Sequence, residues 1–350
     1  MDVLVQQQGK HNIIPFTGNH YRRGFARKRF RKFIVVMEKS LYRAQTRYLF
    51  HTPVKIKIPI EYGDVILDRL FEIPEQIDAR LNSYTRGSEI DLINRNAGKY
   101  TEISDATIRL LKKVISFSEY FEGKYDVTIM PLLRLWGFYR KNTWSPPSVK
   151  EIENIRSLVD YKKIEIKGNY IRIDKGQEIV TGSFLKAYAV DKIVEKMKEL
   201  GIDDAIVNAG GSTIAALNNT KHPCWHIRLK NIGYDEEAPM IKLSNQCYTT
   251  SSQNETFISI RGKRYGHILN PLSGYPSANR ETGMLTEDCL TGDILSTAFF
   301  NETVDTFHRK MSLLSKNHFV EGFLIDRYGQ TICSERFANP YILNLKSEIL

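Results

Sequence analysis

The chain has 350 residues and 42% of them are apolar, enough to bury a core and too many for a disordered chain. Its formal charge of +10 is uneven, because residues 1–36 carry eight Lys/Arg against Asp2 alone, a net +7 that leaves +3 for the rest. The body is close to neutral, and no nucleic-acid partner is expected for it.

Between Tyr21 and Lys32, seven Lys/Arg surround Tyr21, Phe25 and Phe30, a composition suited to nucleic acid or anionic lipid. The expected reading is a solvated basic extension over residues 1–40, ahead of one large domain over 41–345. The apolar run Phe33–Met37 is shorter than a signal-peptide core or a membrane span, so neither an export signal nor a transmembrane segment is expected. Cys224, Cys247, Cys289 and Cys333 lack metal-site spacing, and reduced thiols in the cytoplasm are the expectation.

Val54, Ile56, Ile58 and Ile60 alternate with Lys55, Lys57 and Pro59, the period of a half-buried strand that opens the folded part. Ser104 caps a helix with Ile108, Leu111, Ile115 and Ser118 on one face, and Ser148 with Glu151 forms a capping box for another. Gly168-Asn169 turns a hairpin between Ile164–Lys167 and Tyr170–Ile173. An apolar stripe predicts a helix from Ser183 to Leu200, stopped by Gly201. Strands are expected at Ala205–Asn208 and around Trp225, Ile227 and Leu229. Hairpins mixed with long single helices favour α+β, and the P-loop, Rossmann and H-E-x-x-H signatures are missing.

Five stretches carry chemistry. Asp293 and Thr297 are four apart on a predicted helix and can share a hard cation such as Mg²⁺; the alternative is an exposed acid and a threonine bonding back to its own turn. In His267-Ile-Leu-Asn270-Pro-Leu-Ser-Gly274 a strand end holds an imidazole beside a turn, where a proton acceptor is useful. Thr181-Gly-Ser183-Phe-Leu-Lys186 opens a helix, whose amides and lysine attract phosphate, or is a plain capped start. Asp126-Val-Thr128 before Trp136 is either a site segment or an Asp-capped turn with a core Trp. Asn208-Ala-Gly210-Gly211 either admits a ligand close to backbone or is a tight turn.

These segments occur in one order with Ser88-Glu-Ile-Asp-Leu-Ile-Asn94, Tyr125-Asp-x-Thr, Trp136-Gly-Phe, Lys186-Ala-Tyr-Ala-Val-Asp191, Thr250-Ser251 and Asp293-x-x-Ser-Thr297. In that order the chain resembles the ApbE family of FAD:protein FMN transferases from about Tyr48 to Tyr341. The resemblance implies a single α+β, T-fold-like domain of mixed sheets with packed helices. It implies FAD as substrate, Mg²⁺ as cofactor, and an acceptor flavoprotein that takes FMN on a Thr or Ser through a phosphodiester, with AMP released. Other expectations under the same resemblance are an FAD diphosphatase or a non-catalytic flavin-binding homologue. Implied flavin or adenine contacts are Phe50, Tyr84, Lys124, Tyr125, Asp126, Lys186 and Leu269. The implied metal set is Asp293, Thr297, Ser296 and the backbone oxygen of Ser183, with His267 and Lys186 catalytic. The chain departs from the family's pattern at Phe50, Val180, Ala187, Ser212, Ser252 and Asn270, most seriously at Val180, where the family has an acid.

Overall fold

The computed structural model describes residues 33–37, 40–139, 145–229, 240–254, 256–337 and 342–343. The basic stretch 1–32 lies outside them. The first elements are strands β1 (Phe33–Met37), β2 (Ser40–Leu49) and β3 (Thr52–Pro59), then helices α1 (Gly63–Leu81) and α2 (Glu89–Arg95). Next come β4 (Thr101–Glu102), α3 (Asp105–Tyr120), α4 (Met130–Trp136), α5 (Val149–Arg156), β5 (Glu165–Lys167), β6 (Tyr170–Arg172) and α6 (Leu185–Glu199). Strands β7 (Ala205–Ala209), β8 (Thr213–Leu217), β9 (Trp225–Arg228), β10 (Met240–Leu243), β11 (Cys247–Ser252), β12 (Phe257–Ile260), β13 (Lys263–Gly266) and β14 (Glu281–Thr286) follow. Helices α7 (Cys289–Phe299) and α8 (Val304–Leu314) precede β15 (Val320–Ile325), β16 (Thr331–Cys333) and β17 (Ile342–Leu343).

Nine strands form one antiparallel sheet in the order β1-β2-β3-β7-β8-β11-β14-β15-β16, which bears out the α+β expectation. Strands β3 and β7 are neighbours, so everything from α1 to α6 is an excursion between two adjacent strands. One sheet face is apolar through Val54, Ile56 and Ile58 of β3 and Val207 of β7; Leu70 and Phe71 of α1 and Val190 and Ile193 of α6 cover it. The other face presents Tyr42, Ile214, Tyr248 and Phe323 to Trp225, Ile241 and Leu243 of the small β17-β10-β9 sheet. Helices lie on one side, a second sheet on the other.

The predicted strand at Val54 is the third strand, since β1 and β2 precede it. The alternation there holds, with Val54, Ile56 and Ile58 buried. Ser104 accepts from Thr107 N, the Ser148/Glu151 capping box is complete, and Gly168-Asn169 turns its hairpin. The helix expected from Ser183 begins at Leu185, and left-handed Gly201 (φ 73°) ends it with Ile202 N donating to Met197 O.

Helix α7 sits unusually close to β11 and β14. A Cβ on Gly292 would stand 2.6 Å from Thr286 Oγ1 and 2.7 Å from Thr249 Oγ1. Glycine inside a helix costs about 1 kcal/mol against alanine, and here it allows the approach.

Candidate active site

Asp293 is on α7, but it is not an exposed acid: it is 5% exposed, pressed toward the sheet by the Gly292 approach. Thr297 Oγ1 and Ser296 Oγ each donate to the Asp293 carbonyl, at 3.1 and 3.0 Å, so the threonine does bond back to its own turn. Ser251 Oγ of β11 lies 2.8 Å from Ser296 Oγ and 3.4 Å from Thr297 Oγ1. Ser183, two residues before α6, meets Tyr125 hydroxyl to hydroxyl at 3.0 Å, and Asp293 is close enough to Tyr125 to help raise its phenol pKa, which burial dominates. Asp293, Ser296, Thr297 and Ser183 therefore share one neighbourhood. A carboxylate among hydroxyl oxygens, without nitrogen or sulfur, is a donor set that fits Mg²⁺.

Lys186 Nζ donates to Ser212 Oγ at 2.5 Å. His267 follows β13 and lies near enough to Lys186 for the ammonium to lower its pKa, though burial is the larger cause. Its Nδ1 is 3.0 Å from the Thr256 carbonyl, an acceptor, so Nδ1 carries the proton and Nε2 is the basic nitrogen. The alternative reading of the sequence, that His267 bonds the Asn270-Pro271 turn, gives way to the Thr256 carbonyl as the partner of Nδ1, and a backbone carbonyl leaves no residue-type signal.

Phe50 and His51 form the two-residue turn between β2 and β3, both left-handed at φ 51° and 60°. The His51 and Tyr84 ring centroids are 5.9 Å apart, and those of Tyr84 and Tyr139 are 4.9 Å apart. Ser83 N donates to Thr181 Oγ1 at 3.2 Å, which brings the Tyr84 loop to the start of α6. Asp126 is committed internally: Oδ1 accepts from Thr128 N and Oγ1, and Oδ2 from Tyr161 N. Its segment is an Asp-capped turn, and Trp136 is a core residue whose Nε1 donates to Gly274 O at 2.8 Å. A groove of about 250 Å³ lined by Glu122, Asp126, Arg156, Tyr161 and Leu272 adjoins it. Lys124 pairs with Glu302, and the Leu269 carbonyl accepts from Asn301 at 3.1 Å. The Gly210 turn is tight for an internal reason: a Cβ there would stand 2.3 Å from Thr52 Oγ1.

Two departures have structural consequences. Val180 is 6% exposed in an apolar cluster with Leu132, Trp136 and Leu269, so this position contributes no charge. Ser212 supplies Lys186 with a neutral partner. Asp191, Cys247 and Cys289, scattered in sequence, gather at the start of α7 with candidate ligand atoms within 4.8 Å. There the Asp191 oxygens accept the amides of Cys289 and Leu290 at 2.7 and 2.8 Å, and burial pushes its carboxyl up to about 7. That cluster caps a helix.

An antiparallel α+β scaffold that carries a hard-oxygen donor set, and a lysine beside a basic imidazole, suits phosphate chemistry. A profile described as the ApbE family matches residues 50–318, and the chain belongs to that family. It is 27% identical over 239 residues to the FAD:protein FMN transferase of Vibrio cholerae, covering 66% of this chain and 70% of that protein. A second relative, the FAD:protein FMN transferase of Haemophilus influenzae, is 26% identical with 65% and 70% covered. Among solved structures, the ApbE protein of Thermotoga maritima aligns with a TM-score of 0.77 at 25% identity, over 88% of this chain and 98% of that one. The flavin transferase ApbE of Vibrio cholerae aligns at 0.73 and 20% identity, over 89% and 100%, a likeness of fold.

Proposed function

We propose that this chain is an Mg²⁺-dependent FAD:protein FMN transferase. Membership of the ApbE family and relatives named for that activity support the reading, and the observation that carries it is the His267 Nε2 base beside Lys186. The hydroxyl of an acceptor Ser or Thr attacks the FMN-side phosphorus of the FAD diphosphate. A new O–P bond forms, the P–O bond to AMP breaks, and AMP departs with that oxygen. The hydroxyl proton passes to His267 Nε2, which the Thr256 carbonyl holds in the accepting tautomer. The Lys186 ammonium offsets charge on the phosphoryl oxygens. Asp293 and Thr297, with Ser296 and the Ser183 backbone oxygen, would hold Mg²⁺, which supplies charge neutralisation at the diphosphate when bound. Phe50, Tyr84, Lys124, Tyr125, Asp126, Lys186 and Leu269 are assigned to the flavin or adenine of FAD.

Among the described residues no helix is long and apolar enough to cross a membrane. All four cysteines are free thiols, which supports an acceptor in the cytoplasm or at a cytoplasmic membrane face.

The test is incubation of the purified protein with FAD, Mg²⁺ and a lysate of its own source, read as AMP release and flavin fluorescence that survives denaturing electrophoresis. AMP matched to protein-bound flavin is expected, lost in Asp293→Asn together with Mg²⁺ binding by calorimetry. AMP with free FMN alone marks a diphosphatase. FAD binding with neither product marks a binding protein and overturns the transferase reading.

A further inference from the structure

The segment Phe300–Glu302 joins α7 to α8 and belongs to none of the motifs that carry the family resemblance. Asn279 Nδ2 donates to the carbonyls of Phe300 and Glu302 at 3.0 and 2.9 Å, and Ser277 Oγ to that of Phe300 at 2.6 Å. These bonds tie it to the stretch that follows the His267 turn. Asn301 Nδ2 in turn donates to the carbonyl of Lys124 at 3.0 Å and to that of Leu269 at 3.1 Å. One side-chain amide thus holds together two segments far apart in the chain.

Glu302 grips the other end of Lys124. Its side chain is 0% exposed and pairs with the Lys124 ammonium and, at 3.5 Å, with Lys310. Lys310 is fixed elsewhere too, donating to the Tyr120 carbonyl at 2.9 Å and lying 4.5 Å from the Phe121 ring centroid. Lys124 alone of the three keeps a sizeable opening, 26% of its side chain. One carboxylate between two ammoniums leaves the cluster with a net charge of +1. Buried excess charge is costly, and an anion at the open face of Lys124 relieves it. Lys124 has three N–H donors and spends one on Glu302, so donors remain for a ligand.

We propose that Asn301 and Glu302 are positioning residues that aim Lys124 and the Leu269 backbone at a phosphate-bearing nucleotide, the AMP half of FAD. The proposal rests on the FAD reading above. Because both residues directly follow α7, they also tie the nucleotide contacts to the helix that carries Asp293 and Thr297. Nucleotide and cation sites then share one rigid support.

The test is a double-mutant cycle on FAD affinity, measured by quenching of flavin fluorescence. Glu302→Gln is expected to weaken FAD about tenfold, within the worth of a charge-assisted hydrogen bond. In a Lys124→Met background the same change is expected to cost less than about twofold, because a residue that acts through Lys124 has nothing left to position. Glu302→Gln with Lys310→Met keeps the cluster at +1 and serves if the single variant fails to fold. Mn²⁺ affinity is expected to stay unchanged throughout. Equal losses in both backgrounds, or no loss in the first, would overturn the proposal while leaving the FAD reading intact. A wild-type chain that does not bind FAD would overturn both.

Discussion

Burial and the Lys186 ammonium both push the His267 imidazole below its ordinary range, so its neutral form persists to lower pH. A general base must be neutral, so the acid limb of the rate profile should rise with pH through a midpoint below about 6.5. His267→Ala should lose on the order of 10²- to 10⁴-fold in rate while retaining FAD and Mg²⁺ binding. A midpoint above the ordinary imidazole value, or near wild-type turnover in the variant, would remove His267 from the proton path. The turn at Phe50-His51 supports a second prediction. Two left-handed residues in a two-residue hairpin favour Asn-Gly, and a bulky pair there stores backbone strain. Replacing both with Phe50→Asn and His51→Gly should raise the melting temperature and weaken FAD binding together. A stabilised variant with unchanged FAD affinity would mean that Phe50 touches no flavin.

At the scale of elements, the helix caps were legible because a cap is local chemistry: Ser104, Ser148 and Gly201 act within a few residues of their own positions. Sheet order was not legible, since β3 meets β7 only after the whole α1 to α6 excursion. Strand β2 escaped notice because its buried positions include Tyr42, Ala44 and Gln45, which make no apolar alternation. Strand β11 is buried despite reading Cys-Tyr-Thr-Thr-Ser-Ser, and two of its hydroxyls are spent on neighbours: Thr250 Oγ1 donates to the Thr282 carbonyl, and Ser251 meets α7. The candidate site was legible where its residues shared one element, as Asp293 and Thr297 share α7. It was not where the partner came from elsewhere, as with Ser251, Ser212 and Glu302. Asp191 joins α6 to α7 in the same cross-element way. Its carboxyl titrates near 7 in the folded chain against 3.8 ordinarily, so between those values the native state holds more protons than the unfolded one. Its contribution to stability should therefore fall as pH rises from about 4 to about 7. Denaturant unfolding across that window should show the slope, and Asp191→Asn should flatten it; an unchanged slope would place the titration in another group.

For the whole molecule, the family match begins at residue 50, after the basic extension. Deleting residues 1–32 should leave FAD affinity and melting temperature unchanged. Deleting through Met37 also removes β1, which pairs with β2 from Phe33↔Ala44 to Met37↔Ser40. That should lower the melting temperature by a few degrees, about 2 °C or less per kcal/mol in a domain this large, without altering FAD affinity. A fall in FAD affinity with the first deletion would assign the extension to the site. The adjacency of β3 and β7 reaches further than architecture. Tyr84, Lys124, Tyr125, Ser183 and Lys186 come from the excursion between those strands, while Ser251, His267, Leu269, Asp293 and Thr297 come from sequence made afterwards. On the ribosome, an emerging chain therefore holds half of the proposed nucleotide site until α7 and the Asn301-Glu302 link have left the exit tunnel. Under the proposed function, flavin capture and metal capture become available together, only once α7 has been made, so a nascent fragment that stops short of α7 lacks a complete site for FAD.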